Sequence, residues 1–145
     1  MAEYCRVAGI ECYLPLRAET KVYQRRKVTV HKPVFPGYIF ASFSREQRAI
    51  LLKSNNIVRF LRPENQTEFL HELAQIRAAL NVDPTLGACE ALRRGRRVRI
   101  TGGPFLGVEG LVSAVKGATR VLLNVEMIGR AVAVEVAPEY LEILD

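Results

Sequence analysis

The sequence predicts an α+β fold, with an N-terminal antiparallel sheet and flanking helices followed by a small C-terminal β-barrel. Three observations predict it. "NQTEFLHELAQIRAAL" places Phe69, Leu73, Ile76 and Leu80 on one helical face, with Asn65 and Glu68 at capping-box spacing. "NVDPTLGACEAL" then interrupts the periodicity with Asp83-Pro84 and Gly87. Beyond it the texture becomes a series of short runs alternating with period two, and closure of such strands into a barrel would remove exposed edges. The division is therefore residues 1–80 as the first domain, 81–92 as a linker and 93–145 as the barrel.

The elements follow in order. Met1 to Gly9 carries Tyr4, Val7 and Ala8 at helical spacing, and Gly9 stands where a helix stops. "IECYLPL" reads as a strand ended by Pro15, and residues 21 to 31 alternate loosely as a hairpin or extended arm. "YIFASF" predicts a strand that is apolar on both faces, "REQRAILLK" a short helix and "IVRFL" another strand. After the linker, "RRVRIT", "GLVSAV", "TRVLLNVEMI", "AVAVEV" and "YLEIL" predict five strands separated by glycine-containing turns. Val121, Leu123, Val125 and Met127 recur at period two, and Val132, Val134 and Val136 repeat it, patterns that a helix would scatter around its circumference.

Charge is concentrated. The chain of 145 residues carries a net +6, and Arg17, Lys21, Arg25, Arg26, Lys27 and Lys32 are opposed in their segment by Glu19 alone. With a pI near 9.5, such clustering points to a polyanionic partner. A hydrophobic content of 49% is ordinary for a globular protein, and the apolar runs are too short to span a membrane. Glu3 and Arg6 interrupt any signal-peptide core, so the expected location is cytoplasmic. Cys5, Cys12 and Cys89 lack C-x-x-C spacing and are expected to be reduced, mostly buried thiols rather than a disulfide framework or zinc site.

Four stretches carry a resemblance. "GRRVRITGGPFLGVEGLV", residues 95 to 112, resembles a KOW motif, and "VEMIGRAVAVEV" is similar to the hairpin with an Ile-or-Phe-Gly-Arg tip in the NusG family of bacterial transcription elongation factors. "FPGYIF" and "GIECYLPL" are similar to two strands of that family's N-terminal domain. Family members open with a Trp-Tyr-containing strand, whereas this sequence begins inside the first helix and has no tryptophan, so the resemblance implies a domain short of its first strand. "YLPLRAET" and "VFPGYIFASF" resemble the specialised members associated with surface-polysaccharide operons somewhat more than the general factor.

The resemblance implies partners and positions. The N-terminal domain would dock on the clamp helices of RNA polymerase through Phe35, Tyr38 and Phe40, with Gln47 and Arg48 near the polymerase gate loop. Arg25, Arg26 and Lys27 on the arm would lie near upstream or non-template DNA and contact phosphates without reading bases. Phe105, Val108, Met127, Ile128 and Arg130 would meet Rho or a small-subunit ribosomal protein, although Phe105 and Val108 fit a barrel core equally well. One specialised branch stores the C-terminal domain as a helical hairpin over the polymerase-binding face; the alternation here predicts a barrel instead, leaving Phe35, Tyr38 and Phe40 uncovered. The resemblance implies no cofactor and a monomer.

No enzyme is expected. His31 and His71 lack a nucleophile or metal-ligand pattern, and Gly102-Gly103 lacks the Lys-Ser/Thr of a phosphate-binding loop. The alternative function is that of a KOW-containing ribosomal or RNA-binding structural protein, which accounts for the basic charge but not for "FPGYIF".

Overall fold

A computed structural model describes residues 1–115 and 117–144. In chain order the elements are α1 (Ala2–Ala8), β1 (Glu11–Tyr13), β2 (Leu16–Tyr23), β3 (Arg26–Pro33), β4 (Phe40–Ser42), α2 (Arg45–Leu52), α3 (Gln66–Val82), β5 (Ala88–Glu90), β6 (Arg96–Ile100), β7 (Glu109–Val115), β8 (Ala118–Val125), β9 (Arg130–Glu135) and β10 (Leu141–Ile143). They form two compact units: Met1–Pro15 with Phe35–Arg62, and Leu16–Val34 with Pro63–Asp145. This is the mixed α+β architecture the sequence predicts.

In the first unit, α1 stops at Gly9, whose φ of 74° is readily reached only without a Cβ. The turn returns the chain so that Ile10 N–H donates to Cys5 O at 2.8 Å. Cys5, Ile10 and Leu51 form the buried core, with Tyr4, Cys12, Ile57 and Phe60 packed against it. The Tyr4 hydroxyl donates to Ile50 O at 2.6 Å and ties α1 to α2. β1 and β4 pair antiparallel, Tyr13 opposite Phe40. At the start of α2, Ser44 Oγ accepts from Gln47 N–H while Gln47 Oε1 accepts from Ser44 N–H, a complete capping box.

Two expected strands are corrected here. "YIFASF" forms a strand only from Phe40 to Ser42, because Phe35-Pro36-Gly37-Tyr38 closes a turn in which Tyr38 N–H donates to Phe35 O at 3.1 Å. Proline at the second position and Gly37 at φ 87° are the signature of a type II turn. "IVRFL" is not a strand. Ile57 and Phe60 turn inward three residues apart while Val58 is fully exposed, so the burial does not alternate.

In the second unit, β2 and β3 form a long hairpin. β5 to β10 form a six-stranded antiparallel sheet in the order β10-β6-β7-β8-β9-β5. The five predicted strands are present, and β5, from the segment expected to be linker, joins the edge beside β9. Val98, Ile100, Val108, Val121, Leu123, Val125, Val132 and Val134 make its core. Met127 leaves the alternation because Glu126–Ile128 forms a single 3₁₀ turn closed by Gly129 at φ 64°. Gly110 is required by proximity: a Cβ there would stand 2.6 Å from Leu122 O on β8.

α3 lies against β8 and buries Ile76, Ala79 and Leu80. Phe69 and Leu73, expected on the same buried face, are only half-covered. Asn65 caps the helix by accepting from Glu68 N–H at 3.0 Å.

Candidate functional site

Phe35 and Phe40 are buried, at 2% and 8% exposure, whereas Tyr38 is 37% exposed. The rings of Phe35 and Phe40 meet edge to face with centroids 6.2 Å apart, and Tyr13 extends the stack at 6.5 Å from Phe40. The expectation of three uncovered aromatics is therefore corrected: the turn folds Phe35 back onto Phe40, and pairing with β1 covers Phe40. Tyr38, at the last position of that turn, leaves its side chain exposed to solvent.

The helix that follows offers a second exposed group. The Arg48 guanidinium stacks 4.9 Å above the Phe60 ring, and Phe43, 36% exposed, lies 5.3 Å from Phe60 on centroids. Gln47 spends its side chain on the helix cap. Phe60 packs against the core, and its ring also contacts Arg48 and Phe43.

The basic arm is the β2–β3 hairpin. Its turn residues, Gln24 and Arg25, both have positive φ, 45° and 68°, the type I′ geometry that matches strand twist. Register then separates the basic run. Tyr23 pairs with Arg26 and Lys21 with Val28, whereas Val22 pairs with Lys27. Because side chains alternate and direct partners share a face, Arg26 and Lys27 lie on opposite faces, and Arg25 belongs to the turn. The expected Arg25-Arg26-Lys27 surface is thus not one surface. Lys21 and Tyr23, absent from the sequence-derived site, share the face of Arg26. At the base, Glu19 binds Lys32 at 2.9 Å and Arg17 at 3.4 Å. Lys32 foremost, with Lys21 and Arg17, holds the Glu19 carboxyl below its usual range.

On the C-terminal sheet, Val108 is core at 3% exposure and Phe105 is half-buried. Val108 donates to Phe105 O, and its own carbonyl accepts from Ile100 N–H, which fixes the loop against β6. Val108 is therefore corrected from contact to core. Met127 and Ile128 are half-buried on the turn, and Arg130 is exposed at the start of β9. The arginines from Arg93 to Arg97 are all exposed.

Polar contacts join α3 to this sheet. Gln75 Oε1 accepts from Glu109 N–H at 2.8 Å, and Glu72 Oε2 accepts from Glu126 N–H at 3.2 Å. His71 Nε2 lies 3.7 Å from Glu109, which also meets Arg99 at 3.5 Å. Desolvation pushes the Glu72 carboxyl up to about 7, opposed by the Glu126 N–H bond and assisted by the Glu126 and Glu68 carboxylates.

Among the described residues, no group of His, Cys, Asp and Glu is placed to hold a metal ion, and no helix is long and apolar enough to cross a membrane. Cys5 is buried, Cys12 and Cys89 are half-buried, and all three are free. Burial raises the thiols of Cys5 and Cys89 above their usual range, which disfavours the reactive thiolate.

The model of the NusG family, described as transcription termination factor nusG, matches residues 2–77. The chain belongs to the NusG family. The matched stretch contains the Tyr38 turn, the hairpin and most of α3, so the exposed groups of this NusG-family protein fall largely within the defining domain. Membership gives it a role in transcription elongation or termination, and with it an interaction with RNA polymerase in general terms. Comparison with curated proteins finds no match.

Proposed function

We propose that this chain is an elongation or antitermination factor that docks on the clamp helices of RNA polymerase through its N-terminal domain. The observation that carries the reading is Tyr38, an exposed aromatic that closes the Phe35–Tyr38 turn next to the buried Phe35 and Phe40, inside the stretch matched to the family. Such an anchor has little side-chain freedom to lose on binding, and tyrosine is enriched among residues that dominate interfaces. Arg48, stacked on Phe60 beside Phe43, supplies a cationic neighbour on the same unit.

The hairpin contributes contacts to upstream or non-template DNA, and the C-terminal sheet, read as a KOW barrel, recruits a small-subunit ribosomal protein or Rho through Phe105 and the Met127-Ile128 turn. The protein acts by binding alone, in the cytoplasm, as a monomer without cofactor. Co-purification from cells tests this function: RNA polymerase should be retained, whereas ribosomal subunits retained in high salt without polymerase would favour the ribosomal alternative. That alternative rests on the basic charge and the KOW-like strands.

A further inference from the structure

The hairpin is more specifically built than a cationic arm. From Thr20 to Pro33 the sequence contains no acidic residue. Glu19, the only carboxylate on the ribbon, is engaged at the base by Lys32 and Arg17, so those three charges compensate one another in part. The base is also anchored by Ala18 N–H donating to Pro84 O at 2.7 Å. What remains toward the tip is Lys21, Arg25, Arg26 and Lys27, none of them in an ion pair with any of the described residues.

Register sorts these groups. One face carries Lys21, Tyr23, Arg26 and Val28; the other carries Thr20, Val22, Lys27 and Thr29. Tyr23 is 69% exposed, opposite Arg26 and two residues from Lys21 on the same strand. Residues so spaced lie roughly 7 Å apart along a strand, and direct partners have Cβ atoms about 5 Å apart. Tyr23 thus stands largely in water beside two cations, Arg26 in no ion pair among the described residues and Lys21 in none, though within reach of the Glu19 charge. It offers a π-face flanked by phosphate-binding groups, the combination with which single-stranded nucleic acid is held. A regular duplex offers phosphates but no free base face to stack on.

We propose that the Lys21–Tyr23–Arg26 face of the hairpin is a binding site for single-stranded nucleic acid, in which an unpaired base stacks on Tyr23 while Lys21 and Arg26 take the adjoining phosphates. This rests on the reading of the arm as a nucleic-acid contact, and it changes which residues matter. Lys27, adjacent in sequence to Arg26, faces away and contributes only general attraction.

The test uses the full chain and a fluorophore-labelled single-stranded oligonucleotide of about 12 nucleotides, with a duplex of equal length, followed by anisotropy over a range of salt. Tyr23→Ala is expected to weaken single-strand binding about tenfold and duplex binding by less than about twofold, with Tyr23→Phe retaining affinity. Lys21→Ala and Arg26→Ala should each reduce the single-strand salt slope by about 0.7, and Lys27→Ala by clearly less. Circular dichroism of each variant establishes that the fold persists. Equal losses on both substrates, or none, would overturn the stacking site while leaving a charge-only arm intact. Failure of the wild-type chain to bind either oligonucleotide would overturn the nucleic-acid reading as well. If Tyr23→Ala instead weakened polymerase binding without affecting oligonucleotides, the face would belong to a protein contact and the proposal would be wrong.

Discussion

The Glu72 carboxylate on α3 accepts a hydrogen bond from Glu126 N–H at 3.2 Å, which joins the helix to the turn between β8 and β9. A half-buried carboxyl facing the carboxylates of Glu126 and Glu68 binds its proton more tightly than in the unfolded chain, with its pKa raised from 4.5 to about 7. Between those values the folded state holds more protons than the unfolded state. The contribution of Glu72 is therefore fully present below pH 4.5 and is lost as pH rises to about 7. Because the group is half-exposed, solvent screening reduces the effect to about 1 kcal/mol. Urea denaturation across this range should show the second unit weakening toward neutral pH, and Glu72→Gln, which keeps an acceptor without a charge, should flatten the profile. An unchanged pH profile in that variant would remove Glu72 as the cause.

The hairpin turn predicts a gain in stability. Gln24 and Arg25 occupy left-handed conformations that side chains disfavour, by about 1–2 kcal/mol per residue. Replacing the pair with Asn-Gly, which suits a type I′ turn, should stabilise the hairpin by about 1 kcal/mol, read as slower amide hydrogen exchange across β2 and β3. Faster exchange would contradict the turn geometry.

Gly110 predicts the opposite. A Cβ at this position would meet Leu122 O at 2.6 Å and Val121 Cγ1 at 2.8 Å, and the backbone oxygen cannot move without disturbing the β7–β8 ladder. Gly110→Ala should destabilise the second unit by about 2 kcal/mol in denaturant titration, whereas a neutral effect would mean the two strands separate more easily than their packing indicates.

Different parts of the molecule were legible to different degrees. The strands β8 and β9 follow from alternation, because apolar residues at every second position suit a sheet, whereas β6, β7 and β10 follow as short runs between glycine-containing turns. α3 follows from periodicity and the capping residue Asn65, and α2 is expected as a short helix, but its Ser44 cap emerges only in the structure. β5 carries no such pattern, since its three residues are held at the edge by pairing with β9. "IVRFL" misled because a short apolar run does not reveal its period, and only packing showed Ile57 and Phe60 turning inward together. The separation of Arg26 from Lys27 was hidden for a related reason. It depends on strand register, which a turn containing no glycine does not announce. Tyr38 could be singled out by its motif, but the burial of Phe35 and Phe40 required knowledge of the turn and of the Tyr13 pairing.

That burial divides the aromatic motif into an anchor and its support. Phe40→Ala removes a ring that is 8% exposed and packed on Phe35 and Tyr13, so it should cost about 3–5 kcal/mol of folding stability. Loss of polymerase binding in that variant would follow from loss of structure, to be recognised by a lowered Tm.

Titration of the full chain against an RNA polymerase clamp-helix coiled coil, comparing wild type, Tyr38→Phe and Tyr38→Ala, tests the central claim most directly. Tyr38→Ala, at an exposed position, should keep its Tm and lose about tenfold or more in affinity, with Tyr38→Phe losing less. A folded Tyr38→Ala variant that binds the clamp helices as tightly as wild type would contradict the account.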